Sequence, residues 1–216
     1  MKRLLIKRIP SVEGKDLAKL SGYLDEKCEP HLINTVNWPG YKNTPVVKFK
    51  IAYSSTELYI KYSVTENFVK AEYTKPNEAV YTDSCVEFFV TPVSDGPYFN
   101  FEFNAIGTCL MQSGVSRNAR EFGEAELNKS IRKLSSLGTA SFSERTGEQS
   151  WELVIAIPLE IIFGRTDPVL SGRIIRANFY KCGDGLSQPH YLSWNPISTE
   201  QPDFHRPEFF GVLEFE

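Results

Sequence analysis

The first chemical suggestion in this chain is a pair of acids held on facing strands. In the stretch 81–104, YTDSCVEFFVTPVSDGPYFNFEFN, the runs Ser84 to Thr91 and Tyr98 to Asn104 are rich in aromatic and β-branched residues on either side of PVSDGP. That composition predicts a β-hairpin. Turning the hairpin about Ser94 and Asp95 pairs Cys85 with Asn104, Glu87 with Glu102 and Phe89 with Asn100. Alternation then places Phe99, Phe101 and Phe103 on one face and Asn100, Glu102 and Asn104 on the other. Like charges opposed across strands repel, so a compensating group is expected, either Arg176 or a metal ion. The segment 173–181 repeats the pattern, with Ile175, Ala177 and Phe179 on one face and Arg176, Asn178 and Tyr180 on the other. Asn, Glu and Arg are planar groups that match the paired hydroxyls of a sugar, and each charged hydrogen bond is worth about 1.5–3 kcal/mol. The same alternation is also the ordinary mark of a solvated outer face. A third reading, a retaining glycosidase pair at roughly 5 Å, stands behind both, because opposed acids are common in sheets without catalysis.

Other chemistries find little support. His31, His190 and His205 show no HxH or HExxH spacing, and no GxSxG, GxxxxGK[ST] or GxGxxG occurs. Cys28, Cys85, Cys109 and Cys182 are scattered without a CxxC, so they read as reduced and mostly buried rather than as a zinc site or a redox pair. Trp151 and Trp194 fall in predicted strands and read as core, whereas Trp38, in the turn WPG, is compatible with either core or binding platform.

These residues must be positioned by strands. Apolar residues at Leu17, Leu20 and Leu24 predict a short amphipathic helix from Lys15 to about Glu26, weakened by Gly22. Val46 to Tyr53 and Leu58 to Val64 predict a second hairpin, which Glu66 to Tyr73 can extend, and Trp151 to Ile157 predicts a strand running into a helical turn at Pro158. His190 to Trp194 and Phe210 to Phe215 predict short strands, separated by a Pro-broken loop. Ser113 to Gly147 is the least regular region and reads as a rim loop, with a hint of broken helix over Ala119 to Leu137. About ten short strands and little helix predict an all-β fold, an antiparallel β-sandwich of jelly-roll or immunoglobulin-like type with one or two short helices, over residues 1–216 as a single domain.

The net charge of −3 and the lack of a basic, aromatic-interleaved run argue against a nucleic-acid partner. No apolar stretch approaches the roughly 20 residues of a membrane helix. The opening MKRLLIKRIP is too short in its apolar run for a signal peptide, so the chain as written predicts a cytoplasmic protein, or a secreted or periplasmic one if a leader is missing from it.

In order, LYIKYSV, DSCVEFF, FNFEFN, WELVIAIP, RANFYKCGD, LSWNP and RPEFFGVLEF resemble the family-nine carbohydrate-binding modules, β-sandwich domains often attached to xylanases. The resemblance implies a non-catalytic protein that binds a saccharide or polysaccharide, with calcium as a possible structural ion. Family members clamp a terminal sugar between two tryptophans, and the corresponding positions here are Tyr81, six residues before Glu87, and Phe204, seven before Gly211. The family's strand carboxylate is matched by Glu87 and its following asparagine by Asn104. Its arginine falls at Glu102, which turns a donor into an acceptor, and its late glutamine at Tyr180. The resemblance therefore implies a ligand site drawn from Tyr81, Glu87, Glu102, Asn104, Arg176, Asn178, Tyr180 and Phe204. A protein-interaction domain that kept the fold and lost the sugar is the alternative.

Overall fold

The computed structural model describes residues 1–10, 16–165 and 168–216. Its early strands are β1 (Arg3–Arg8), β2 (His31–Leu32), β3 (Thr35–Val36), β4 (Val46–Tyr53) and β5 (Glu57–Ala71). The central ones are β6 (Cys85–Thr91), β7 (Tyr98–Asn104), β8 (Cys109–Ser116), β9 (Ala119–Phe122), β10 (Arg132–Ser135) and β11 (Phe142–Pro158). β12 (Ile174–Cys182), β13 (Tyr191–Ser193) and β14 (Gly211–Phe215) complete the set, with helices α1 (Leu17–Lys27), α2 (Ala125–Ser130) and α3 (Leu159–Phe163) between strands.

Two sheets pack face to face. One runs β1-β14-β12-β6-β7-β8-β9, and the other β10-β11-β5-β4-β1. The facing sides carry the alternating apolar residues read from the sequence: Val86 and Phe88 of β6, Phe101 and Phe103 of β7, and Ile175, Ala177 and Phe179 of β12 meet Phe49, Ile60, Tyr62, Trp151 and Leu153 of the opposite sheet. Phe49 and Phe179 stack across this gap at 3.8 Å. Trp151 and Trp194 both lie in this core. Every register pair expected for the central hairpin is present, Cys85 with Asn104, Glu87 with Glu102 and Phe89 with Asn100. Its turn holds Asp95 at φ 61°, a left-handed conformation that Asp tolerates.

Helix α1 begins at Leu17 with Asp16 as its cap, the side chain accepting from the backbone N–H of Ala18 and Lys19. Lys15, the expected first residue, lies outside the described residues. Leu20 and Leu24 seat the helix on Tyr59, Val154 and Ala156, the outer face of the second sheet.

Two expectations are corrected. Ser113 to Gly147 is not a rim loop: it holds the end of β8, all of β9, α2 and β10, and the start of β11, and the helix is only Ala125–Ser130. The end of β8, β9 and β10 are half-buried or exposed without alternation, so no apolar pattern marks them, and their order comes from the backbone ladder to a neighbour. Nor is the pairing wholly antiparallel. β1 pairs parallel with β14 through Arg3 to Ile6 and with β4 through Lys7 and Arg8, passing from one sheet to the other. A parallel neighbour needs only a long connection, and strands near opposite ends of the chain have one by default.

Candidate functional site

The outer face of β12, β6, β7 and β8 is laid out in rows by register. One row reads Tyr180, Glu87, Glu102, Leu110; the next reads Asn178, Phe89, Asn100, Gln112; and on the other side Cys182, Cys85 and Asn104 stand in line. Alternation makes this a polar face, but it is not solvated. Glu87 and Glu102 are each 3% exposed, and Asn100, Asn104, Asn178 and Tyr180 are completely buried. Segments from four other parts of the chain roof it.

Between the roof and the floor lies a cavity of about 160 Å³. Glu87, Glu102 and Leu110 form its floor, and Tyr81, Asp184 and Tyr191 one side. Pro202, Asp203, Phe204 and His205 form another side, and Arg117 and Arg120 close it from the β8–β9 hairpin. Tyr81 sits in a 3-10 turn, Val80–Thr82, and is 40% exposed. The 184–185 loop is tied to that turn, Asp184 N–H donating to the Tyr81 carbonyl and Gly185 N–H to the Thr82 carbonyl. Phe204 stacks flat on Tyr180 at 4.2 Å and leans on Trp38 at 5.9 Å, so Tyr180 and Trp38 back the ring from behind. Gly114 lets the arginine hairpin close: a Cβ there would stand 2.0 Å from the Ala119 carbonyl oxygen. Arg120 Nη1 donates to Gln112 at 2.7 Å, and Arg117 reaches Asp203 at 3.4 Å.

The acids are strongly perturbed. Burial, then the Glu102 charge beside it, pushes Glu87 well above the usual carboxylate range, while the Cys182 thiol donates to its Oε1 at 3.0 Å. Burial lifts Glu102 to about 7, opposed by the Asn100 amide at 2.9 Å and the Arg120 charge. Its Oε2 has no hydrogen-bond partner although it is buried. Asp184 is pushed up by burial to about 6. Around neutral pH the floor therefore offers carboxyl groups able to donate as well as accept, and one acceptor left open, which suits the hydroxyls of a polyol.

The eight residues expected at the site divide. Tyr81, Glu87, Glu102 and Phe204 line the cavity together. Asn104 lies outside the cavity lining, donating to the Tyr73 carbonyl and to Asp83. Asn178 bonds the backbone of Asn195 through both ends of its amide. Tyr180 gives its hydroxyl to the Phe204 carbonyl. Arg176 stands four residues along β12 from the residue facing Glu87, about 13 Å at strand rise, and donates to the carbonyls of Phe210 and Glu208. It is not the counter-charge for the acids; Arg120 and Arg117 take that place. Both were missed because a polar, exposed hairpin gives no alternation signal, as were Asp184, Asp203 and His205 on loops and Tyr191 at the start of the short strand β13.

For a metal, the described residues offer one cluster of at least three ligating side chains, Cys85, Glu87 and Cys182, with ligand atoms within 4.8 Å of one another. Two of the three are thiols. Calcium takes six to eight oxygen ligands, so this donor set does not fit it.

A model of carbohydrate-binding family 9 matches residues 20–215. The chain belongs to that family. A solved structure of a candidate carbohydrate-binding protein from Bacteroides uniformis ATCC 8492 is 40% identical with a TM-score of 0.94, over 100% of this chain and 99% of that one. Two structures of a family 9 carbohydrate-binding module from Caldicellulosiruptor kristjanssonii, one in complex with glucose and one with cellotriose, are 14% identical. Their TM-scores are 0.58 and 0.53, over 100% of this chain and 96% and 94% of theirs. Those two share the family 9 β-sandwich. No curated protein matches the sequence.

Proposed function

We propose that this family 9 protein binds a saccharide without transforming it, holding a sugar unit in the cavity between Tyr81 and Phe204 above Glu87 and Glu102. The observation that carries the reading is that these four residues, from a 3-10 turn, β6, β7 and a late loop, line one cavity. Glucose and cellotriose in the Caldicellulosiruptor modules support a saccharide as the ligand class. Membership of a family of non-catalytic binding modules supports binding without catalysis. Arg117, Arg120 and the unpartnered Glu102 oxygen supply the polar contacts.

A glycan array followed by calorimetry on the best hits tests this. Tyr81→Ala removes a half-exposed ring without touching the core, and it is expected to weaken binding about tenfold or more. Phe204→Ala is expected to do at least as much. If the folded protein binds no glycan, or binds one with unchanged affinity in both variants, the reading fails and a protein partner becomes the better search.

A further inference from the structure

Beneath the sugar cavity, Glu87 of its floor stands beside two buried thiols that saccharide binding does not use. Cys85 and Cys182 are directly opposed on β6 and β12, and Glu87 follows Cys85 by two residues on the same face. Both thiols are buried, and all three ligand atoms lie within 4.8 Å of one another, Cys182 Sγ and Glu87 Oε1 at 3.0 Å. Zinc bonds of about 2.3 Å to sulfur and 2.0–2.2 Å to oxygen place tetrahedral ligands roughly 3.5–3.8 Å apart. The cluster reaches that spacing by small side-chain movements on a rigid pair of strands. Glu87 and Cys182 also line the cavity, so a fourth coordination position opens into it.

We propose that Cys85, Cys182 and Glu87 form a site for a thiolate-preferring divalent cation of the zinc class, with its open position facing the sugar cavity. Two thiolates exclude calcium and magnesium and select zinc, cadmium or cobalt. Burial raises both thiols and the carboxyl, so without a cation the cluster is protonated. Binding exchanges the two thiol protons and the Glu87 carboxyl proton for the metal, so affinity rises with pH. This site goes beyond saccharide recognition, and its test needs no sugar.

The reduced, metal-stripped full chain is titrated with cobalt(II). One equivalent should produce the near-ultraviolet thiolate-to-cobalt charge-transfer band and the visible bands of a tetrahedral ion, both displaced by zinc. Cys85→Ser and Cys182→Ser should each abolish the band and weaken zinc binding by more than the 10–100-fold, roughly, that loss of an outer-shell partner costs. Cys28→Ala, at the end of α1 and away from the cluster, should leave both unchanged, and circular dichroism checks that each variant is folded. Absence of the band in the wild-type chain overturns the proposal whatever the variants do. So does a band that survives in Cys182→Ser, or a Cys85–Cys182 disulfide in protein isolated without reductant.

Discussion

His205 stands in the cavity wall with its ring 4.9 Å from Phe89 and Nδ1 3.0 Å from the Tyr98 hydroxyl. Burial, then the charges of Arg120 and Arg117, depresses its pKa to about 3. The unfolded chain takes up a proton near pH 6.5 while the folded ring stays neutral. The ring's contribution to stability is therefore fully present above pH 6.5 and is lost as pH falls toward 3, by up to about 1.4 kcal/mol per pH unit. His205→Gln loses the Tyr98 contact and should be less stable than wild type at pH 7.5. Its deficit should shrink between pH 6.5 and pH 5 in urea unfolding, because Gln carries no such proton cost. A deficit constant with pH would mean that the ring takes up its proton as readily in the folded protein as in the unfolded chain. The same arginines favour the charged form of Glu102, so one hairpin adds to the effect of burial at the wall and opposes it at the floor.

Three strands are tied at one end of the sandwich by a buried polar network. Lys181 of β12 meets Glu66 of β5 at 2.9 Å and His190 at 2.8 Å, while Trp151 of β11 donates its indole N–H to Glu66 at 2.8 Å. Lys181 continues the inward face of β12 beyond Ala177 and Phe179, where sequence alternation alone would place an apolar residue. Removing one member leaves the other charge buried and unpaired, so Lys181→Met is expected to cost about 3–5 kcal/mol in chemical denaturation. Adding Glu66→Gln keeps an acceptor for Trp151 and removes the stranded charge, so the double variant should recover most of that loss. Strictly additive effects in the cycle would show that the pair is not coupled. The network holds β12 against the other sheet just behind Cys182, and so steadies the floor of the cavity.

The two sheets are joined at β1, whose Ile6 is buried in the common core and paired with Phe215 while the next residue pairs with β4. The end of the chain locks onto the same place. Glu216 N–H donates to the Ile6 carbonyl, the Glu216 side chain accepts from Arg8 N–H, and Tyr53 gives its hydroxyl to the Glu216 carbonyl. Ile6→Ala opens a cavity where both sheets meet and should cost about 2–5 kcal/mol. Because β1 belongs to both sheets, unfolding should remain a single transition by near- and far-ultraviolet circular dichroism. Separate transitions would show that the sheets melt independently.

By itself the sequence determined what depends on neighbours along the chain. The period of two in FNFEFN and RANFYK assigns inward and outward faces, and the PVSDGP turn sets a register that pairs Glu87 with Glu102. The match of ordered segments to family 9 also needs no coordinates. Tertiary structure alone decided what covers the outward face. Burial of Asn104, Asn178 and Tyr180, and the choice of Arg120 over Arg176 as counter-charge, follow from loops and a hairpin folded over the sheet. The Cys85, Glu87 and Cys182 cluster is of the same kind: Cys182 and Glu87 lie 95 residues apart, and only the adjacency of β6 and β12 brings them together. Alternation is enforced by backbone geometry within each strand and can be read locally. Strand order and roofing follow from how the whole apolar surface is buried, and no local pattern encodes them.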